Sequence, residues 1–364
     1  MSHFSRRRFL QTSAAGLGLS SATRALAADL TIGILYVGPR ADFGWNQSHA
    51  AAIQALKGVS GIKVVEEENV PETDACAKSM ESMINLDGAG LILATSFGYY
   101  APFMTGLAAR YPKVEFRHAA PLWNKDKDPA NAGSYFAYLN QAHFVNGVAA
   151  GLSGKSSKLG FVASKPIGLV LNNINSFLLG ARSVNPNAAV QVIFTGEWSA
   201  PVREAEAANA LVDAGCDVIA CHVDSPKIVI ETAEKRGAKS CGHTADQAAL
   251  APKGFVTGAE FKWETIYKGF AAGLAKGEKP PNFLIGGYEA DMVGNTAFGP
   301  GASDAARKAA TQAIADLRAK RPIYAGPLKD NRTGKIVIDK VYDNLDPFLG
   351  KMDYLLEGIL GSAG

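Results

Sequence analysis

The chain has 364 residues, of which 47% are apolar and 20% charged, with a formal net charge of +3. That positive excess is local: residues 1–27 hold Arg6, Arg7, Arg8 and Arg24 and no acid, which leaves 33 basic against 34 acidic side chains in the remainder. A balance this close to neutral argues against a nucleic-acid partner, which would require a basic excess to neutralise phosphates.

Ser5-Arg6-Arg7-Arg8-Phe9-Leu10, the small and mildly apolar run from Gln11 to Ser21, and Ala25-Leu26-Ala27 form the pattern of a twin-arginine export signal cleaved after Ala27. The run is too short and too rich in Gly, Ser and Ala to span a bilayer, which takes ~20 apolar residues. No Cys lies near the cleavage point, so the expected product is a periplasmic protein without a lipid anchor. Cys76, Cys216, Cys221 and Cys241 show neither a C-x-x-C pair nor a histidine at zinc spacing. Burial as small apolar residues is expected of them, and a disulfide within Cys216, Cys221 and Cys241 stays open.

The roughly 337 residues left after cleavage exceed a usual single core and imply two domains. In chain order, strand-length apolar runs alternate with helical stretches: Leu30 to Val37 and a helix from about Asn46; Ile62 to Glu67 and a helix from about Glu72; Leu91 to Thr95 and a helix from about Ala101. After the polar loop Asn124 to Pro129, Ser134 to Tyr138 reads as a strand crossing into a second series. That series runs Lys158 to Ala163, Val190 to Thr195, Asp217 to His222 and Lys239 to Gly242, with helices near Asn175, Arg203 and Ile228. Repeated β-then-α units predict an α/β fold of two doubly wound parallel-sheet lobes. Phe255 to Ala259 and the helix from Trp263 are expected to return to the first lobe, and Gly334-Lys335 marks a hairpin. The expected division is 28–138 plus about 255–290 for the first lobe, 139–254 plus about 291–345 for the second, and 346–364 as a C-terminal tail.

Open parallel sheets bind ligands outside the carboxyl ends of their strands, so the residues after each strand are the candidates. The first strand holds Tyr36, ends at Val37 and is followed by a loop with Asp42-Phe43-Gly44-Trp45-Asn46, the third by Ser96-Phe97. Aromatic rings in Gly-containing loops suit a flat ligand, although Asp42 or Asn46 capping a helix and Trp45 packing in a core would explain the same residues. In the second series Trp198, His222-Val223-Asp224-Ser225 and His243 to Gln247 occupy the corresponding places, and polar side chains of both donor and acceptor type thus oppose an aromatic wall. His222, Asp224, Ser225, His243 and Asp246 also invite a metal or catalytic reading. No G-x-S-x-G, H-E-x-x-H or G-x-G-x-x-G supports one, so no metal, cofactor or catalytic residue is expected.

At these loops the sequence resembles the basic membrane protein (Bmp) family of ABC-transporter substrate-binding proteins, whose studied members bind purine nucleosides or nucleobases. The resemblance rests on Asp42 to Gln47, Gly147 to Gly151, Gly180 to Pro186, Gly215 to Ile219, Asp246-Gln247 and Lys262, in that order and spacing along nearly the whole mature chain. It implies a type I periplasmic binding protein fold with a multi-strand hinge, a membrane permease as partner and a monomeric state. It also implies Trp45 as the stacking ring, Asn46 as the loop amide, Asp246 as the carboxylate and Lys262 as the lysine of the site, with Trp198 as an opposing plate or a packing residue. Tyr36, Gln141 and Asn175 complete the candidate ligand-binding set of Tyr36, Asp42, Phe43, Gly44, Trp45, Asn46, Ser96, Phe97, Gln141, Asn175, Trp198, His222, Asp224, Ser225, Asp246 and Lys262.

Two departures bear on the ligand. Nucleoside binders of the family carry glycines where this chain has His222-Val223-Asp224-Ser225-Pro226, and often a second Asp where it has Thr244. Both changes leave less room for a ribose, so a purine nucleobase such as adenine is expected, captured by stacking, edge hydrogen bonds and hinge closure. A binder of another polar solute, such as a sugar or amino-acid derivative, a nucleoside-processing enzyme, and a receptor domain that feeds no transporter are the alternatives.

Overall fold

The computed structural model describes residues 30–363, so the export-signal expectation falls outside the described residues. In chain order the elements are β1 (Leu30–Leu35), α1 (Trp45–Lys57), β2 (Ile62–Glu67), α2 (Asp74–Asn85), β3 (Leu91–Ala94), α3 (Thr105–Arg110), β4 (Glu115–His118), β5 (Ala132–Ala137) and α4 (Asn140–Ser153). They continue with β6 (Lys158–Ala163), α5 (Gly168–Val184), β7 (Ala189–Phe194), α6 (Pro201–Asp213), β8 (Val218–His222), α7 (Lys227–Lys235), β9 (Lys239–Thr244) and β10 (Phe255–Phe261). The last are α8 (Trp263–Ala275), β11 (Phe283–Gly286), β12 (Val293–Asn295), α9 (Asp304–Arg318), the hairpin β13 (Leu328–Lys329) and β14 (Ile336–Ile338), and β15 (Ile359–Leu360).

Two sheets result. The first has the order β11-β5-β4-β3-β1-β2, and every pair in it is parallel. The second has the order β12-β10-β9-β8-β6-β7-β15, parallel except where β12 runs antiparallel to β10. Central strands such as β1, β3 and β8 are buried on both faces, as expected for a sheet covered by helices on each side. No described helix is long and apolar enough to cross a membrane.

Three expectations change. Phe255 to Ala259 does not return to the first lobe, because β10 hydrogen-bonds to β9 with Gly258 opposite Gly242 and Ala259 opposite His243. The chain returns one element later: α8 packs on α1, with Trp263 Nε1 donating to Ser48 Oγ at 3.0 Å, and β11 pairs with β5. The expected tail, 346–364, is part of the second lobe over its described residues, since Met352, Leu355 and Leu356 are buried and β15 extends the second sheet beside β7. The helix expected from about Ala101 begins only at Thr105, because Ala101 precedes Pro102 and is extended (φ −122°, ψ 137°).

Three chain segments cross between the sheets and hydrogen-bond to one another. Tyr138 N–H donates to Gly286 C=O at 3.0 Å, and Lys262 N–H donates to Met292 C=O at 2.9 Å. Beneath them α4 and α5 pack closely, since a Cβ on Gly147 would lie 2.0 Å from Phe177 O and one on Gly180 would lie 2.0 Å from Phe144 O. The four cysteines are unpaired and buried.

Strand β4 was not anticipated, and it holds the first lobe to the returning chain. Arg117 on β4 is fully buried and donates to Pro281 O at 2.9 Å, Phe116 O at 2.7 Å, Asn131 O at 3.1 Å, Pro280 O and Glu115 Oε2 at 3.0 Å. Removing one partner of a buried ion pair strands the other. Arg117→Met is therefore expected to lose about 3–5 kcal/mol of stability, read as a lower urea midpoint at unchanged slope. A midpoint equal to that of the unsubstituted protein would show that Arg117 does not clamp the returning segment.

Candidate functional site

The loop after the carboxyl end of β1 meets the loops after the carboxyl ends of β8 and β9, where the two sheets face each other. On the first-lobe side, the Asp42 carboxylate caps α1: Oδ1 accepts from Gly44 N–H (2.8 Å) and Gln47 N–H (2.9 Å), and Oδ2 from Asn46 N–H (3.0 Å) and Asn46 Nδ2 (2.8 Å). Trp45 N–H is left over and donates to Asp224 O at 3.0 Å, in the loop after β8. Ser225 Oγ donates to Asp42 O at 2.7 Å, and Gln247 Nε2, after β9, donates to Phe43 O at 2.6 Å. Lys227 Nζ sits 5.6 Å from the centre of the Phe43 ring. Asp42, Phe43, Gly44, Trp45, Asp224 and Ser225 are thus brought together.

The first-lobe wall is aromatic. Half-buried Trp45 anchors its indole N–H on Thr95 O at 2.7 Å and meets His49, Phe261 and Trp263 edge-on, at ring distances of 4.7, 5.5 and 5.9 Å. Phe261 and Trp263 stack at 4.2 Å, and Trp263 stacks on His49 at 4.8 Å. Such edge-to-face packing fixes the plane of the indole. His49 Nδ1 lies 2.6 Å from Tyr267 OH, and burial holds its pKa well below the usual histidine value.

The second-lobe wall is polar but mostly uncharged. His222, His243 and His143 form a buried cluster, with His222 and His243 ring centres 4.2 Å apart and His143 Nε2 2.9 Å from His243 Nδ1. Burial pushes His222 down to about 3 and His143 and His243 well below the usual range, so all three are neutral at pH 7. His222 Nδ1 lies 2.9 Å from Asn173 Nδ2, and the half-buried Trp198 ring lies 6.2 Å from the His222 ring. Asp224 N–H donates to Trp198 O at 2.8 Å, which ties these two loops together. The Asp224 carboxyl has no hydrogen-bond or ion-pair partner among the described residues. Its pKa is pushed up to about 7 by desolvation first, then by Asp42, Glu204 and Glu72.

The remaining candidates lie elsewhere or are occupied. Asn46 is buried and its amide is spent on Asp42 and on Gly38 N–H (3.3 Å). Tyr36 is buried and donates to Glu66 at 2.8 Å. Ser96 Oγ donates to Glu72 at 2.6 Å, while Phe97 is 65% exposed on the rim. Gln141 joins the crossing segments, accepting from Tyr288 N–H at 3.0 Å and donating to Glu289 at 3.2 Å. Asn175 pins the C-terminal segment through Tyr354 O (3.2 Å) and Leu356 N–H (2.9 Å). Lys262 is paired with Glu260 at 2.8 Å at a crossing. Asp246 is exposed and caps Ala248 N–H at 2.8 Å, whereas its buried neighbour Gln247 reaches Phe43.

Sequence reasoning passed over Asn173, Ser164 and Phe261. Asn173 and Asn175 differ by two positions on α5, about 200° around a helix, so one faces His222 and the other the C-terminal segment. Ser164 directly follows β6 and is buried with its hydroxyl unpartnered, as is Asn173 Oδ1. The strand-end rule that selected His222 selects Ser164 as well. A separate apolar recess of about 690 Å³ lies at the opposite ends of the first sheet, against Leu56, Ile62, Ala271 and Leu274, on the side where open parallel sheets do not bind.

Comparison with known proteins agrees with this architecture. The Bmp family model, described as ABC transporter substrate-binding protein PnrA-like, matches residues 30–331. A purine-binding protein of Brucella abortus is 33% identical over 318 residues, covering 86% of this chain and 88% of its own. A Haloferax volcanii protein named as a candidate ABC transporter glucose-binding protein is 31% identical over 270 residues, covering 74% of this chain and 67% of its own. Among solved structures, an ABC transporter solute-binding protein of Conexibacter woesei superposes with a TM-score of 0.69 at 19% identity, covering 80% of this chain and 96% of the other. One from Aeropyrum pernix gives 0.66 at 16%, covering 90% of this chain and 100% of the other. These likenesses establish the fold as that of the solute-binding proteins of ABC transporters, which take up small molecules and work with membrane permeases. The chain belongs to the Bmp family of ABC-transporter substrate-binding proteins.

Proposed function

We propose that the protein, exported to the periplasm as a monomer, captures a purine nucleobase of the adenine kind between its two sheets and passes it to an ABC permease. The observation that carries this reading is the meeting of the Trp45 loop and the Asp224 loop, which sets an anchored indole opposite polar atoms that lack protein partners. A flat heterocycle uses both: stacking on an aromatic ring contributes ~1–3 kcal/mol, by analogy with nucleic-acid systems, and hydrogen bonds to its edge set specificity. The Brucella abortus relative, named as a purine-binding protein, supports the same ligand class. Asp42 serves as cap and Asn46 is held by it, so Trp45, Trp198, Asp224, Asn173 and Ser164 are the residues assigned to the base.

A second reading follows from the Haloferax volcanii relative, whose name gives glucose as ligand. Sugars also stack on tryptophan, but their hydroxyls call for several charged or amide partners, and Asp42, Asn46 and Lys262 are already engaged.

Isothermal titration of refolded, ligand-stripped protein against adenine, guanine, xanthine, urate, adenosine, guanosine and glucose separates the readings. Adenine is expected to bind with a micromolar or lower Kd and adenosine more weakly. Tighter binding of adenosine would contradict the ribose-free site, and binding of glucose alone would replace the purine reading. Trp45→Ala is expected to raise the adenine Kd at least tenfold, and an unchanged Kd would remove the indole from the site.

Closure itself is open to test at Gly44. A Cβ there would stand 1.8 Å from Asp224 O and 2.9 Å from Pro226 Cδ. Gly44→Ala is therefore expected to keep the two loops apart while each lobe folds. Small-angle scattering should then show the same radius of gyration with and without adenine, and adenine affinity should fall at least tenfold. Ligand-induced compaction equal to that of the unsubstituted protein would show that closure does not pass through this contact.

A further inference from the structure

The Asp42, Glu204 and Glu72 carboxyls act on the charge of Asp224 where the lobes meet, and each of these three accepts at least one hydrogen bond. Asp42 accepts from the first amides of α1. Glu72 accepts from Ser96 Oγ and Gly98 N–H, both at 2.6 Å, and Glu204 on α6 accepts from Ala200 N–H at 2.7 Å through Oε1, its buried Oε2 having no partner among the described residues. The fourth, Asp224, is held rigidly by its backbone on both sides, through Trp198 O and Trp45 N–H, yet its carboxyl has no protein partner among the described residues. The nearby cations are engaged as well: Lys165 pairs with Glu197 at 3.3 Å and Lys227 with Glu231. A half-buried carboxyl without a donor, on a residue whose backbone is bonded to the residue carrying the Trp45 indole, is placed to receive its hydrogen bonds from a ligand.

We propose that Asp224 is the specificity-determining residue of the cleft, and that it engages the edge of adenine as a neutral carboxylic acid, one oxygen accepting from the exocyclic N6 and the hydroxyl donating to a ring nitrogen. Adenine offers an acceptor beside a donor on either edge, N6 with N1 or N6 with N7. A protonated carboxyl offers the matching donor and acceptor, whereas a carboxylate offers acceptors only and suits the N1–H and N2–H₂ donors of guanine. The surroundings favour the neutral form. Desolvation and the Asp42, Glu204 and Glu72 carboxylates outweigh Lys165, which places the group's pKa at about 7, and the neighbouring His222 is neutral. Apolar sites hold carboxylic acids neutral for this purpose elsewhere.

This inference rests on the purine reading, and its test separates the two. Adenine titrations from pH 6 to pH 8.5 are compared for the unsubstituted protein, Asp224→Asn and Asp224→Ala, with thermal unfolding confirming that each is folded. A group that must be protonated to bind makes the Kd of the unsubstituted protein rise about tenfold per pH unit above about 7. Asparagine carries the acceptor and donor permanently, so Asp224→Asn is expected to bind adenine at least tenfold more tightly than the unsubstituted protein at pH 8.5, the gap closing towards pH 6. Asp224→Ala is expected to bind at least tenfold more weakly at pH 6. Adenine affinity that ignores both pH and substitution would overturn the role of Asp224 and leave the purine reading standing. Failure of the unsubstituted protein to bind any purine would overturn both.

Discussion

One backbone hydrogen bond organises the site: Trp45 N–H to Asp224 C=O, 3.0 Å across the gap between the sheets. Its existence follows from how α1 begins. Of the amides at the start of that helix, Gly44, Asn46 and Gln47 are taken by the Asp42 carboxylate, and Phe43 N–H goes to Gln47 Oε1 at 3.0 Å. Trp45 N–H alone is directed outward, and in an open protein it would face water. A helix start that satisfies all but one of its donors internally therefore carries a built-in attachment point for the opposite lobe. The same loop holds the indole, so attachment and aromatic plate move as one piece.

The two walls differ in kind, and burial is the reason. The first-lobe wall is made of rings locked edge to face, with their polar atoms tied to Thr95, Ser48 and Tyr267. The second-lobe wall consists of histidines and asparagines that would be charged or solvated elsewhere. Because the histidines lie between α4 and the strand ends, protonating them would place charge in a region of low polarity, and they remain neutral. The result is a set of dipoles rather than ions, beside which burial and neighbouring carboxylates push the Asp224 carboxyl up to about 7.

Much of the architecture was legible because parallel strands buried on both faces read as continuous apolar runs, and the strand-end rule then selected the meeting loops. What the sequence hid has specific causes. Strand β4, Glu115-Phe116-Arg117-His118, looks like a loop because three of its four residues are polar, yet its charges are buried in a mutual clamp. Nothing in Phe255 to Ala259 states which sheet it joins, since the choice depends on long-range registry with β9. Within the site, the family resemblance pointed to Asp246, and Asn175 on α5 was a further candidate. A one-residue change of direction after β9 turns Asp246 outward and Gln247 inward, and the helical period puts Asn173 where Asn175 was expected. Spacing picks out loops, and the local geometry decides which neighbour in each loop turns towards the opposite lobe.

The account is tested most directly by a crystal structure of the ligand-stripped protein grown with adenine. It predicts the base lying flat on the Trp45 indole at a ring separation of about 3.5–4 Å, with a nitrogen of its edge about 3 Å from an Asp224 carboxyl oxygen. A base bound outside this gap, for example in the apolar recess beside Leu56 and Ala271, or a gap too closed to admit a bicyclic ring, would contradict it.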